Sequence, residues 1–185
     1  MGPDLVDPVI DVHLRGAFNV TQPAWKIMRE KSYGRIVSTS SAAGIFGNFG
    51  QANYGAAKMG LVGFTNVLAV EGAKYNVKAN AIAPLAFTRM TEDLLGPLGD
   101  KLQPELVSPL VTYLSHESCE STGRVYSVGG GRVAEFFIAE CQGNTSNDLT
   151  PEILRDNWDT VTDLDGYEVP AAIAEETAML LKALS

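Results

Sequence analysis

Ala52-Asn53-Tyr54-Gly55-Ala56-Ala57-Lys58-Met59-Gly60-Leu61 is the stretch from which the rest of the chain can be read. Its small residues suit a helix that something can approach closely, expected from about Ala52 to Tyr75. Residues i and i+4 are neighbours on a helix, so the Tyr54 phenol and the Lys58 ammonium share one face. A tyrosine beside a fixed cation ionises more easily, because the cation favours the phenolate. Such a pair can give and take a proton during alcohol or carbonyl chemistry. Taken alone, the spacing is commonplace: a half-buried aromatic and a solvated charge would produce it too. The flanks decide.

Upstream lies Arg35-Ile36-Val37-Ser38-Thr39-Ser40-Ser41-Ala42-Ala43-Gly44, an apolar, β-branched start running into small polar residues. It reads as a buried strand leading into a loop. In open α/β sheets ligands bind just beyond the carboxyl ends of strands, where Ser41 would offer its hydroxyl to a substrate oxygen. Downstream, Val77-Lys78-Ala79-Asn80-Ala81-Ile82-Ala83-Pro84 reads as a second strand. Pro84 has no ladder donor and disfavours helix in Ala83, so the chain leaves the sheet there. Thr88 follows in the loop. Neighbouring strands at Ile36–Ser38, Lys78–Ile82 and Val125–Ser127 are expected.

Strand, Ser41, Tyr54, Lys58, strand, Pro84 and Thr88 occur in the order of the short-chain dehydrogenases/reductases, which the chain resembles. Val12-His13-Leu14-Arg15-Gly16-Ala17-Phe18, Gly47-Asn48-Phe49-Gly50-Gln51, Arg89-Met90-Thr91 and His116-Glu117-Ser118-Cys119-Glu120 narrow the likeness. They resemble the branch containing the (3R)-hydroxyacyl-CoA dehydrogenase module of multifunctional enzyme type 2 and related bacterial single-domain proteins. The resemblance implies a partial Rossmann-like, three-layer α/β fold with a reduced, mostly parallel sheet. It implies Ser41, Tyr54, Lys58 and His13 as catalytic residues. His13 stands where many members carry asparagine. It further implies Tyr54, Lys58, Pro84 and Thr88 as cofactor contacts, with NAD as the cofactor. The expected substrate is a secondary alcohol, foremost a 3-hydroxyacyl-CoA. A hydroxysteroid dehydrogenase and a catalytically silent, dimerising remnant stay open as alternatives.

One departure stands out. The family begins with T-G-x-x-x-G-x-G, whose glycines let backbone approach the cofactor pyrophosphate at a helix N-terminus. Nothing of that kind precedes His13, and the resemblance places Gly129-Gly130-Gly131 after the last core strand. The cofactor-binding N-terminal half of the family is therefore expected to be absent. Weak NAD binding is expected with it. Parallel sheets need both faces covered, so the isolated chain should be marginal unless homo-oligomerisation shields it.

Composition fits a globular chain of 185 residues, 45% of them apolar. A net charge of −8 argues against a nucleic-acid surface. No apolar run is long enough for a transmembrane helix, and no signal peptide opens the sequence. Cys119 and Cys141 are too few for a disulfide framework, which suits a reducing compartment. With Ala183-Leu184-Ser185 at the end instead of a peroxisomal address, a cytoplasmic location is expected. No metal is expected.

The remaining chain reads as a long helix from Asp4 to about Lys31, with Pro8 in its first turn and a kink at Pro23. Thr88 to Pro104 reads as a mobile substrate loop carrying Met90, Leu94, Leu95 and Leu98, or equally as an ordinary surface loop. A helix at Pro104–Leu114 and a strand at Arg124–Val128 follow. Residues 1–131 are expected to form the catalytic half. Residues 132–185 are expected to form an extension packed on the same domain, with a strand at Val133–Ala139 and helices beginning at Thr150 and Val169.

Overall fold

A computed structural model describes residues 2–184, the side chains of Leu94 and Leu98 excepted. It divides into two compact units, Met1–Phe136 and Phe137–Ser185. The first holds a four-stranded sheet in the order β1 (Gly34–Thr39), β2 (Val77–Pro84), β3 (Val125–Gly129), β4 (Arg132–Phe136). β1 pairs parallel with β2 from Gly34↔Val77 to Thr39↔Ile82, and β2 pairs parallel with β3 from Ala81↔Val125. The three expected strands are thus neighbours in one sheet. β4 turns back antiparallel on β3 through Gly130 and Gly131, both at positive φ (59° and 79°). That is the backbone a two-residue hairpin demands, and it accounts for these glycines without any phosphate role.

β2 sits between two strands and is buried on both faces. Small residues at Ala79, Ala81 and Ala83 let layers close on either side. Ala81 joins Val62 and Val125 in one core, while Ile82 joins Leu114, Cys119 and Val128 in another. Successive residues of a strand point to opposite faces, so these two cores mark the outer layers of a three-layer α/β fold. α4 (Ala52–Gly72) covers the first face and α6 (Ser108–Ser115) the second. Buried Asn80 is satisfied by Ser121 and Arg124, which fastens β2 to the loop before β3.

The first helix is more articulated than the sequence suggests. α1 (Pro3–Ile10) and α2 (Gly16–Lys31) are joined by a π-turn, Asp11–Arg15, in which Gly16 N–H reaches back to the Asp11 carbonyl. Pro8 lies inside α1, beyond the first turn where it was expected. Gly60 of α4 lies beside Leu14: a Cβ there would sit 3.1 Å from the leucine methyl. α3 (Ala42–Phe46) is a short helix between β1 and α4.

Three boundaries differ from the reading above. Arg132–Phe136 is a sheet strand, so the unit boundary falls after Phe136 instead of after Gly131. The Pro104 helix breaks at Val107 into a 3-10 turn and α6. The last helix, α9 (Ile173–Ala183), starts after Pro170, which removes a helical donor. The Thr88–Pro104 loop contains α5 (Glu92–Leu95) and a 3-10 stretch, Gly96–Lys101. The Leu94 and Leu98 side chains expected in its apolar lining lie outside the described residues.

The second unit contains α7 (Pro151–Asp156), α8 (Trp158–Val161) and α9, with a bridge between Glu140 and Glu168. Thr150 caps α7 as its sequence predicts, its Oγ1 accepting from Ile153 N–H at 3.2 Å.

Candidate active site

Three of the expected residues meet at one place. Tyr54 and Lys58 lie one turn apart on α4, and the Lys58 Nζ is 5.5 Å from the Tyr54 ring centroid. That lies within the reach of a cation–π contact. His13 comes from the π-turn, its ring edge-on to Tyr54 at 5.2 Å and 88°. A π-turn adds a residue to the helical turn and re-aims what it carries, and such turns recur at working sites. Asn53 holds the helices together by donating to the Leu5 carbonyl at 2.6 Å.

Lys58 is the buried member, 7% exposed. Its ammonium donates to the Thr39 carbonyl at 2.7 Å, at the carboxyl end of β1. Burial holds its pKa below the usual amine range. His13 is shifted down too, by partial burial and then by the positive charge of Lys58. A groove of about 460 Å³ runs along α2 and β1 and is lined in part by His13, Ala17, Thr39 and Lys58. An ammonium has three donors, so Lys58 keeps donors beyond the one spent on Thr39.

Ser41 lies just past β1, as expected, and caps α3: its Oγ accepts from Ala43 N–H at 3.2 Å. α3 comes up against α4 beside Tyr54, where a Cβ on Gly55 would lie 3.2 Å from the Ala43 carbonyl. Among the described residues, no hydrogen bond joins Ser41 to Tyr54. Pro84 ends β2 and faces a different recess, about 740 Å³, shared with Ala86, Val107, Val111 and His116. Thr88 is exposed; its Oγ1 accepts from Met90 N–H and faces the Thr91 hydroxyl at 3.3 Å. The structure thus assembles His13, Tyr54 and Lys58, sets Ser41 on the adjoining cap, and leaves Pro84 and Thr88 outside that cluster.

Residues 2–95 match the short chain dehydrogenase family. The chain belongs to that family. Among its relatives, peroxisomal multifunctional enzyme type 2 of Mus musculus is 46% identical over 183 residues, covering 96% of this chain and 25% of the relative. A Mycobacterium tuberculosis protein named as a short-chain type dehydrogenase/reductase is 50% identical over 167 residues, covering 88% of this chain and 58% of its own. The solved full-length peroxisomal multifunctional enzyme type 2 of Drosophila melanogaster superposes with a TM-score of 0.85 at 41% identity, over 95% of this chain and 33% of that one. This family member therefore spans between a quarter and just over half of the relatives named here. Its likeness to the dehydrogenase module of the multifunctional enzymes holds in both sequence and fold.

Two participants escaped the sequence reading of this short-chain dehydrogenase. The Thr39 carbonyl carries no side-chain signature. Ser40, next to Ser41, is one more small polar residue until the fold shows where its hydroxyl points.

Proposed function

We propose that this chain supplies the proton-transfer centre of an NAD-dependent oxidation of a secondary alcohol, foremost a 3-hydroxyacyl-CoA. The observation that carries the proposal is the Tyr54 ring held between His13 and the buried Lys58 ammonium at the carboxyl end of β1. Relatives named multifunctional enzyme and hydratase-dehydrogenase-epimerase support the substrate class. Tyr54 takes the alcohol proton and returns it in the reverse direction. Lys58 stabilises negative charge developing on the tyrosine oxygen. The Ser41 hydroxyl donates to the substrate oxygen, while its acceptor side stays on Ala43. His13 orients the phenol from the ring edge.

The donor set fits one end of the cofactor. Lys58, facing the groove with spare donors, suits the hydroxyls of the nicotinamide ribose. When bound, NAD supplies the hydride acceptor. Pro84 and Thr88 are assigned to the carboxamide side on the family pattern. Among the described residues, no glycine-rich turn opens a helix toward a pyrophosphate, so that end finds no matching cradle.

A homo-oligomer suits the open edge of β1. A reducing cytoplasm suits the free Cys119 and Cys141, although several relatives are named peroxisomal. Among the described residues, no helix is long and apolar enough to cross a membrane.

The test compares this chain with a chimera carrying added N-terminal βαβ units with the family's T-G-x-x-x-G-x-G turn. Reduced-cofactor absorbance is followed with 3-hydroxyacyl-CoA and with steroid alcohols. The chimera is expected to turn over the acyl-CoA, and Tyr54→Phe to lower the rate by about 10²–10⁴-fold while leaving cofactor affinity nearly unchanged. Preference for a steroid would move the substrate class. Failure on every alcohol would leave the dimerising module as the better reading.

A further inference from the structure

We propose that Ser40 is a positioning residue that fixes Lys58 against the end of β1, with Gly44 as its counterpart on the other side. The inference rests on the reading of Lys58 as the working cation of the site. Ser40 is 2% exposed, and its Oγ donates to the Lys58 backbone carbonyl at 2.7 Å. That carbonyl lies inside α4, where Val62 N–H already serves it, so the serine adds a tie between strand and helix. The preceding residue holds the other end of the same lysine: Lys58 Nζ donates to the Thr39 carbonyl at 2.7 Å. Two consecutive residues thus grip one lysine by its backbone and by its charge.

The grip is referenced to the sheet. Ser40 N–H donates to the Ile82 carbonyl of β2 at 2.7 Å, so the hydroxyl cannot drift along the strand direction. From α3, Gly44 closes the third side. A Cβ there would lie 2.8 Å from Met59 N and 3.0 Å from the Lys58 carbonyl carbon, an approach open only to glycine. Ser40 touches no reacting atom and acts through the placement of Lys58. The consequence is measurable, because the part-buried ammonium keeps its place beside the Thr39 carbonyl only while the helix is held at this height.

The experiment follows the Lys58 titration by NMR in the 185-residue chain carrying 13Cε-labelled lysine. Lys58→Arg identifies the resonance by its loss. Ser40→Ala is expected to loosen the burial of the ammonium and move the Lys58 midpoint upward, toward the ordinary amine range. Ser40→Thr, which retains the donor, is expected to restore it. A midpoint that stays put in Ser40→Ala overturns the proposal, as does an equal displacement of every lysine, which would mark a global effect. If the alanine variant does not fold, Ser40→Cys, of similar shape but a weaker donor, is read by the same criterion. The readout needs no turnover, so failure of the dehydrogenase reading would leave this result standing, and the reverse.

Discussion

His13 and Lys58 bring two proton-binding groups to one tyrosine, and the Lys58 charge adds to burial in disfavouring a proton on His13. Partial burial, and then the positive charge of Lys58, lower the proton affinity of His13 in the folded chain, while the unfolded chain titrates near 6.5. Well above pH 6.5 both states hold the imidazole neutral, so His13 contributes no pH dependence there. Below it, the unfolded state takes up a proton that the folded state resists, and stability falls with pH. Denaturant titrations across that range should show His13→Gln losing less stability on acidification than the parent. An equal loss in both would assign the effect to other groups. At this scale the sequence was informative where chemistry repeats at helical spacing: Tyr54 and Lys58 were legible at once. The Thr39 carbonyl and Ser40 were not, because backbone acceptors look alike in every sequence and a buried hydroxyl differs from a surface one only by its neighbours.

Helices and strands obey more local rules, and glycines on the same side of the fold show how far those rules reach. Gly63 lies in the interior of α4 with nothing within 4 Å of a would-be Cβ. Gly63→Ala should raise stability by about 0.5–1 kcal/mol through the lower entropy of the unfolded chain. Gly44→Ala should lower it by about 1–3 kcal/mol, because the new methyl meets the backbone of Lys58 and Met59. Thermal unfolding followed by circular dichroism checks both signs, and a shared sign would contradict the packing of α3 on α4. Thr150→Ala should cost about 1 kcal/mol of local stability in α7, seen as faster amide exchange at Ile153. The strands, α4 and the Thr150 cap were legible because apolar runs, prolines and capping residues are local signals. The break at Val107 also had a local signal, which the reading of one helix from Pro104 passed over: Pro109 has no N–H to donate and is accommodated only in the first turn of a new helix, where α6 places it.

At the level of the molecule, the sheet has an open parallel edge on one side and an antiparallel hairpin on the other. The membership of β4 depends on long-range pairing, so the reading that assigned residues 132–136 to an extension missed it. The larger cofactor-binding question is settled by titration. Calorimetry of the 185-residue chain with NAD should give a Kd weaker than about 1 mM, since ribose contacts alone leave the pyrophosphate charges unmet. Micromolar binding would mean that another segment supplies those donors. Sedimentation velocity over a range of concentrations should show self-association, and a strictly monomeric boundary would refute the homo-oligomer.

The π-turn at Asp11–Arg15 works as a phase shift. One residue more than an α-helical turn needs is stored there, and each residue of an α-helix advances the azimuth by about 100°. The segment before it turns Leu5 toward Asn53, while the segment after it turns Phe18 toward Phe64, their rings 4.1 Å apart. Deleting Val12 would return the helix to a single uninterrupted winding and put these two halves out of step. Either the Leu5 tie or the Phe18 stack would then have to let go, and His13 would leave the tyrosine with it.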